Sequence, residues 1–195
     1  MISSTEYHSI RKIYESSNSV VYRGTRSTDQ QPVVLKILNR EYPSPQDISR
    51  FKREYEITRS LQRVNNVIRV YGIEPWQNSF MIVLEDIDGQ ALSEILRVRK
   101  FSLTEFLQLA ISMSVIAGAI HQRHIIHKDL NPSNFLWNPK TDQFRLIDFG
   151  IAAPLSFEQP EIVNPTVIEG TLAYISPEQT GRMNRSVDHR TDLYA

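Results

Sequence analysis

The sequence has no cysteine, and only 7 of its 195 residues are glycine. The first absence removes disulfides, thiolate metal centres and cysteine nucleophiles, and it is compatible with a reducing compartment. Net charge is missing too: 22 Lys+Arg stand against 22 Asp+Glu. A neutral chain carries no electrostatic footprint for nucleic acid or an anionic membrane. The first ten residues lack the basic and apolar regions of a signal peptide. The most apolar stretch, Leu109–Ile120, falls short of the roughly 20 apolar residues that span a bilayer. The expectation is a soluble, cytoplasmic chain with no membrane span and no nucleic-acid partner. What is present is ordinary for a globular protein, 41% apolar and 9% aromatic. The length suits one domain of moderate size or two small lobes.

The two halves differ in texture. Residues 1–87 carry short β-like runs: Ile10–Glu15 and Val20–Gly24 around a polar Ser16–Ser19 turn, then Val33–Leu38, Val67–Ile73 and Phe80–Glu85. Pro32 stands where a strand start tolerates proline. Ser44-Pro45 signals a helix start, and Ile48, Phe51, Tyr55 and Leu61 follow as its apolar positions. Residues 88–195 open with helix signals. Ser102 and Glu105 fit a capping box, and Leu103, Phe106, Ala110, Met113, Ala117 and Ile120 predict a helix that buries a broad face. Short strands are expected over Asn134–Trp137 and Phe144–Ile147, then a Pro-rich loop over Ala153–Pro165.

The chemistry-bearing residues come in order. His127-Lys128-Asp129 is followed by Asn134, five residues after the aspartate; Asp148-Phe149-Gly150 comes fourteen residues later, and Glu178 closes Gly170–Glu178. Upstream, Lys36 lies in the middle of an apolar strand, and Glu54 lies on the next helix. A lysine in such a strand needs an acidic partner if it is buried.

Any one of these motifs is common by chance; five in order are specific. Together they resemble a eukaryotic-type serine/threonine protein kinase domain, from Val21 to Asp192. The closing RMNRSVDHRTDLYA also resembles the kinase domain that opens large bacterial sensor proteins, where an ATPase module and a histidine kinase follow. The resemblance implies an α+β, bilobal fold: a small lobe over 1–87 with a five-stranded antiparallel sheet and one helix, and a mainly helical, incomplete large lobe over 88–195. It implies ATP and Mg²⁺ as cofactors, a protein substrate, and further domains of the same polypeptide as partners. Asp129 would be the catalytic base, Lys36 with Glu54 would hold the α/β-phosphates, and Asn134 and Asp148 would hold metal. Leu84 matches the gatekeeper, and Glu85 to Ile87 match the segment whose backbone binds adenine. Val21, Val34 and Leu136 match the apolar sandwich around the ring. Gly170 and Thr171 match the segment against the protein substrate, and Asp192 the aspartate that braces the catalytic loop.

The chain also departs from the family. Tyr14, Ser16 and Ser19 stand where the phosphate loop has glycines, so a weaker or more mobile clamp is expected, with Ser16 and Ser19 offering donors. Lys128 replaces an arginine that grips loop phosphate bidentately. Asn131 replaces a lysine near the γ-phosphate, leaving hydrogen bonding without charge. These changes keep a second reading open: a pseudokinase-like nucleotide-binding or docking module. His121, His124 and His127 have the spacing of a helical metal site, but the helix should end near Arg123, which favours His127 as a packing residue of the loop. The sequence stops inside what the family makes a central helix. A fragment of a longer protein, or a truncated gene product, is therefore expected, with Glu178 lacking its usual arginine and the Leu103–Ile120 face partly uncovered.

Overall fold

The computed structural model describes residues 6–155, 169–181 and 186–195. Most of the Ala153–Pro165 loop, the first five residues and part of the RMNRSVDHRTDLYA segment lie outside them. The chain forms two compact units: Met1–Gln62 with Ile68–Asp88, and Arg63–Val67 with Gly89–Ala195.

The first unit is an antiparallel sheet of five strands in the order β1-β2-β3-β5-β4. The strands are β1 (Tyr7–Glu15), β2 (Ser19–Arg26), β3 (Pro32–Leu38), β4 (Val70–Trp76) and β5 (Ser79–Glu85). Side chains alternate across the pleat. One face buries Tyr7, Val33, Leu35, Met81 and Val83, with Ile10, Tyr22, Ile37 and Trp76 packed against them. Leu35 is fully buried, and truncating it to alanine costs about 2–5 kcal/mol. Helix α1 (Pro45–Ser60) packs on β4 and β5 and buries Phe51, Glu54, Ile57 and Thr58. Ser44 caps it: its side chain accepts from the Asp47 N–H, and the Asp47 carboxylate accepts from the Ser44 N–H at 2.9 Å.

Val67 corrects the expected fourth strand. The strand begins at Val70, while Val67 bridges to Leu146 in the second unit, and the Leu146 N–H donates to the Asn66 carbonyl at 2.8 Å. Asn66 has φ 64, a left-handed conformation that asparagine tolerates and that interrupts an extended run.

The second unit continues with β6 (Gln90–Ala91), α2 (Leu92–Val98), α3 (Leu103–His121), β7 (Ile125–Ile126), β8 (Phe135–Asn138), β9 (Gln143–Leu146), β10 (Ala153–Pro154) and α4 (Arg190–Tyr194). Strands β6, β8 and β9 form one small sheet, and β7 pairs with β10. Phe135 and Phe144 stack at 5.2 Å, both buried. The Ser102–Glu105 capping box forms in both directions.

Helix α3 corrects the expectation of a broad buried face. Only Ile116, Ala117 and Ile120 are buried, near its C-terminal end. Leu103 and Phe106, expected inside, are 73% and 57% exposed, and the partly uncovered face is what the structure has. The helix begins six residues before Leu109, and by length and composition it is long and apolar enough to cross a membrane.

Candidate active site

In the first unit, Val21 pairs across the sheet with Lys36, and Lys36 with Ile82; Val34 stands between Arg23 and Leu84. Val21, Val34, Lys36 and Leu84 therefore share the face opposite the Leu35 cluster. Lys36 Nζ donates to Glu54 Oε1 at 2.6 Å, and both side chains are 11% exposed. Glu56, the neighbouring candidate on α1, is exposed. Glu85 is tied twice to Arg69: its N–H donates to the Arg69 carbonyl at 3.0 Å, and its carboxylate accepts from the Arg69 N–H at 2.9 Å. Ile87 is buried.

The Ser16–Ser19 turn is closed by its own polar groups. Ser16 Oγ accepts from the Asn18 and Ser19 N–H groups at 3.3 and 3.1 Å, and the Ser16 N–H donates to the Ser19 carbonyl at 2.9 Å. The donors expected to face a phosphate thus serve the turn itself, because a serine hydroxyl competes for nearby N–H groups where glycine has nothing to offer.

In the second unit, the segment His127–Asn134 is held by side chains from distant positions. Asp192, its side chain fully buried, accepts from the His127 N–H at 2.8 Å and the Lys128 N–H at 2.7 Å, and its Oδ2 lies 2.8 Å from His121 Nε2. Those bonds secure Lys128 at φ 68, a conformation costly for a residue with a β-carbon. The buried His127 ring meets Phe149 edge-on at 4.9 Å, and its Nε2 lies 3.1 Å from the Ile147 carbonyl. This is the packing role expected for His127. Among the described residues there is no cluster of three or more His, Cys, Asp or Glu placed to hold a metal.

Asp129 is the centre of the loop. Its Oδ1 accepts from the Thr171 N–H at 2.8 Å and its Oδ2 from Asn134 Nδ2 at 2.9 Å. Asn134 Nδ2 also donates to the Asp129 carbonyl at 2.8 Å. Both amide hydrogens are engaged, which leaves Oδ1 of Asn134 as the atom able to accept a cation. The Asn134 carbonyl accepts from the Ile147 N–H at 2.9 Å, which sets Asp148 one residue from that bond. Asp148 is exposed, at φ 62, with Oδ1 accepting from the Gly150 N–H at 3.2 Å. A carboxylate and an amide oxygen so placed suit Mg²⁺, which takes one or two protein oxygens and completes its shell with water and phosphate.

Asn131 differs from expectation. It is 2% exposed, and its Nδ2 donates to the Asp129 carbonyl at 3.1 Å and to Thr171 Oγ1 at 3.2 Å, while its Oδ1 accepts from the Ser133 N–H. Its hydrogen bonds brace the loop, so none is left to offer a phosphate. Gly170 beside it has φ 117, and an added Cβ would meet the Lys128 carbonyl at 3.4 Å. Leu136 is half-buried in β8, paired with Arg145 and Ala91.

Glu178, expected to lack its usual arginine, has a partner on α4. Its carboxylate accepts from Thr191 Oγ1 at 2.8 Å, so α4 supplies a neutral donor to it. Gln179 and Thr191 were not singled out from sequence, and His121 was singled out only for its metal-like spacing with His124 and His127. Gln179 Nε2 donates to the Lys128 carbonyl at 2.8 Å, and its Oε1 accepts from the Ser176 N–H and hydroxyl at 3.1 Å. Only its place beside Glu178 could have marked it.

Comparison with known proteins agrees with this arrangement. The chain is 31% identical over 189 residues to the serine/threonine-protein kinase PknL of Mycobacterium tuberculosis, covering 94% of this chain and 45% of that protein. It is 29% identical over 191 residues to the serine/threonine-protein kinase pkn3 of Myxococcus xanthus, covering 94% and 34%. A third relative, serine/threonine-protein kinase 36 of Pongo abelii, is 29% identical over 190 residues, covering 97% and 14%. The chain thus spans less than half the length of these relatives. Residues 7–195 match the model of the protein kinase domain. With the ordered motifs and the braced loop around Asp129, that match identifies the chain as a member of the protein kinase domain family.

Proposed function

We propose that this chain transfers the γ-phosphoryl group of ATP to a serine or threonine hydroxyl of a protein, using Mg²⁺. Asp129 accepts the proton of the attacking hydroxyl as the oxygen–phosphorus bond forms and the bond to the β-phosphate oxygen breaks. Lys36, oriented by Glu54, holds the α/β-phosphates as a point charge. Val21, Val34, Leu84 and Leu136 contact the adenine ring, and the Glu85–Ile87 backbone hydrogen-bonds its edge. Asn134 and Asp148 hold Mg²⁺, which when bound neutralises charge developing on the phosphate oxygens. Asn131 keeps Thr171 and the Asp129 carbonyl in register. The serine/threonine preference is supported by the named relatives. A cytoplasmic location, where ATP and Mg²⁺ are supplied, follows from the same reading. The resemblance of the last fourteen residues to sensor proteins supports a role as the kinase module of a longer signalling polypeptide, with its other domains as partners.

The observation that carries this reading is the Asp129 carboxylate held on one oxygen by Asn134 and on the other by the Thr171 N–H. The experiment is phosphate incorporation from ATP into a protein substrate or the chain itself, with Mg²⁺. Asp129→Asn keeps the shape and removes the base, and is expected to lower the rate by about 10²–10⁴-fold. Equal incorporation by both proteins would reject Asp129 as the base. Nucleotide bound without turnover by the wild type would select the binding-module reading instead.

A further inference from the structure

Arg23 is not part of any motif above, yet it forks across the segment leaving β5. Its Nε lies 2.6 Å from Asp86 Oδ2, its Nη2 donates to Asp86 Oδ1 at 3.0 Å, and its Nη1 donates to Asp88 Oδ1 at 2.8 Å. Asp86 Oδ1 also accepts from the Asp88 N–H at 2.8 Å. Asp88 has φ 50, so this turn is a left-handed one closed by a carboxylate that Arg23 holds from the other side. The Asp86 side chain is 6% exposed, that of Arg23 22%, and that of Asp88 73%. A carboxylate so deep needs a positive charge beside it, and the guanidinium supplies one hydrogen bond through Nη2 and a close ionic contact through Nε, whose own N–H is left without a hydrogen bond.

Arg23 shares its sheet face with Val21, two residues earlier on β2, and it pairs across the sheet with Val34. Its guanidinium therefore fastens the strand that carries the adenine contact Val21 to the backbone of Glu85–Asp88. These are the residues between which an adenine ring would be gripped, all within the first unit.

We propose that Arg23 is a positioning residue for the nucleotide: through Asp86 and Asp88 it fixes the Glu85–Asp88 backbone against β2 before ligand arrives. The proposal rests on the reading of Glu85–Ile87 as the adenine-binding segment. Fixing that backbone beforehand lowers the ordering cost that binding would otherwise bear. The guanidinium of Arg23 is engaged by Asp86 and Asp88, so in this proposal it acts on affinity and not on transfer.

The test uses the whole chain with ATP–Mg²⁺ kinetics, adenosine calorimetry and amide hydrogen exchange. Arg23→Met is expected to raise KM for ATP about tenfold with kcat at saturating ATP nearly unchanged. Adenosine binding should weaken by the same factor, because adenosine meets the same backbone without the phosphates. Asp86→Asn should behave like Arg23→Met, and Arg23→Lys, which keeps a single ion pair, should fall between it and the wild type. Amide exchange at residues 86–88 should quicken without nucleotide present. Asp88→Asn, at an exposed position, gives a folded variant even if Arg23→Met does not fold; it should quicken the same exchange, more weakly. A wild-type KM in Arg23→Met overturns the proposal, as does a fall in kcat alone, weakening confined to ATP with adenosine unaffected, or unchanged exchange in Asp88→Asn. A wild type that binds no adenosine at all overturns the adenine reading as well, which separates the two failures.

Discussion

Lys36 and Glu54 form a pair whose stability and whose proposed chemistry can be separated by substitution. Their ion pair is 2.6 Å long, and each side chain is 11% exposed. Removing either partner leaves the other charge in poor solvent, which costs about 3–5 kcal/mol in pairs of this kind. Replacing both with apolar groups of similar volume is often neutral. Lys36→Met and Glu54→Leu should each lower the melting temperature, while the double variant recovers it. Activity should not recover if the proposed phosphate role of Lys36 holds, because the ammonium is gone from Lys36→Met and from the double variant. Thermal melts beside phosphate incorporation check this, and a double variant as unstable as the singles would mean the pair is structural in a way the ion pair alone does not explain. Asp192 follows a different rule. Its carboxylate accepts from two backbone N–H groups and lies near His121, and so holds the loop backbone.

At the scale of elements, the two longest helices begin with the same device. Ser44 with Asp47 opens α1, and Ser102 with Glu105 opens α3. The Ser44 hydroxyl and N–H hold the Asp47 carboxyl below its ordinary value; the Ser102 N–H and hydroxyl do the same for Glu105, with Arg99 adding a nearby positive charge. A depressed carboxyl stabilises the fold fully above its unfolded value, and the benefit is lost as pH falls through the lower, folded value. Both helix starts should therefore fray on acidification below the ordinary carboxylate range and not near neutrality. Carboxyl titration by NMR checks this, with both midpoints expected below those of unfolded peptides. Asp47→Asn and Glu105→Gln should remove the acid-side dependence at their own helix. Such devices were legible because capping is local: the Ser102–Glu105 box lies within four residues. So was the order of kinase motifs, and with it the braced loop. The fork of Arg23 on Asp86 was not, because its partners are 63 residues apart and neither belongs to a pattern. Nor was the burial of α3, since periodicity says which residues share a face and not whether anything covers it. Val67 was read into β4 for its apolar run, although Asn66 turns the chain just before it.

At the scale of the whole chain, two features act together. The exposed face of α3 carries Leu103, the neighbours Phe106 and Leu107, Ile111 and Val115; Leu103, Leu107, Ile111 and Val115 recur every four residues and Phe106 lies beside them, so they form one stripe. The chain also has no net charge, with 22 basic residues against 22 acidic. Apolar contact is thus available between copies, and no long-range repulsion opposes it. Concentration-dependent self-association near neutral pH is the expected result, measured by sedimentation or light scattering. The variant Leu107→Glu with Ile111→Lys isolates the apolar contribution, because it adds one charge of each sign and leaves the net charge at zero. The two positions are 49% and 62% exposed, so each substitution should shift stability by no more than about 0.5 kcal/mol. Glutamate four residues before lysine also adds a weakly favourable helix pair. Self-association should fall sharply while the melting temperature holds. If the double variant associates as strongly as the wild type, the stripe is not the surface through which copies meet, and the neutral charge alone would have to account for the association.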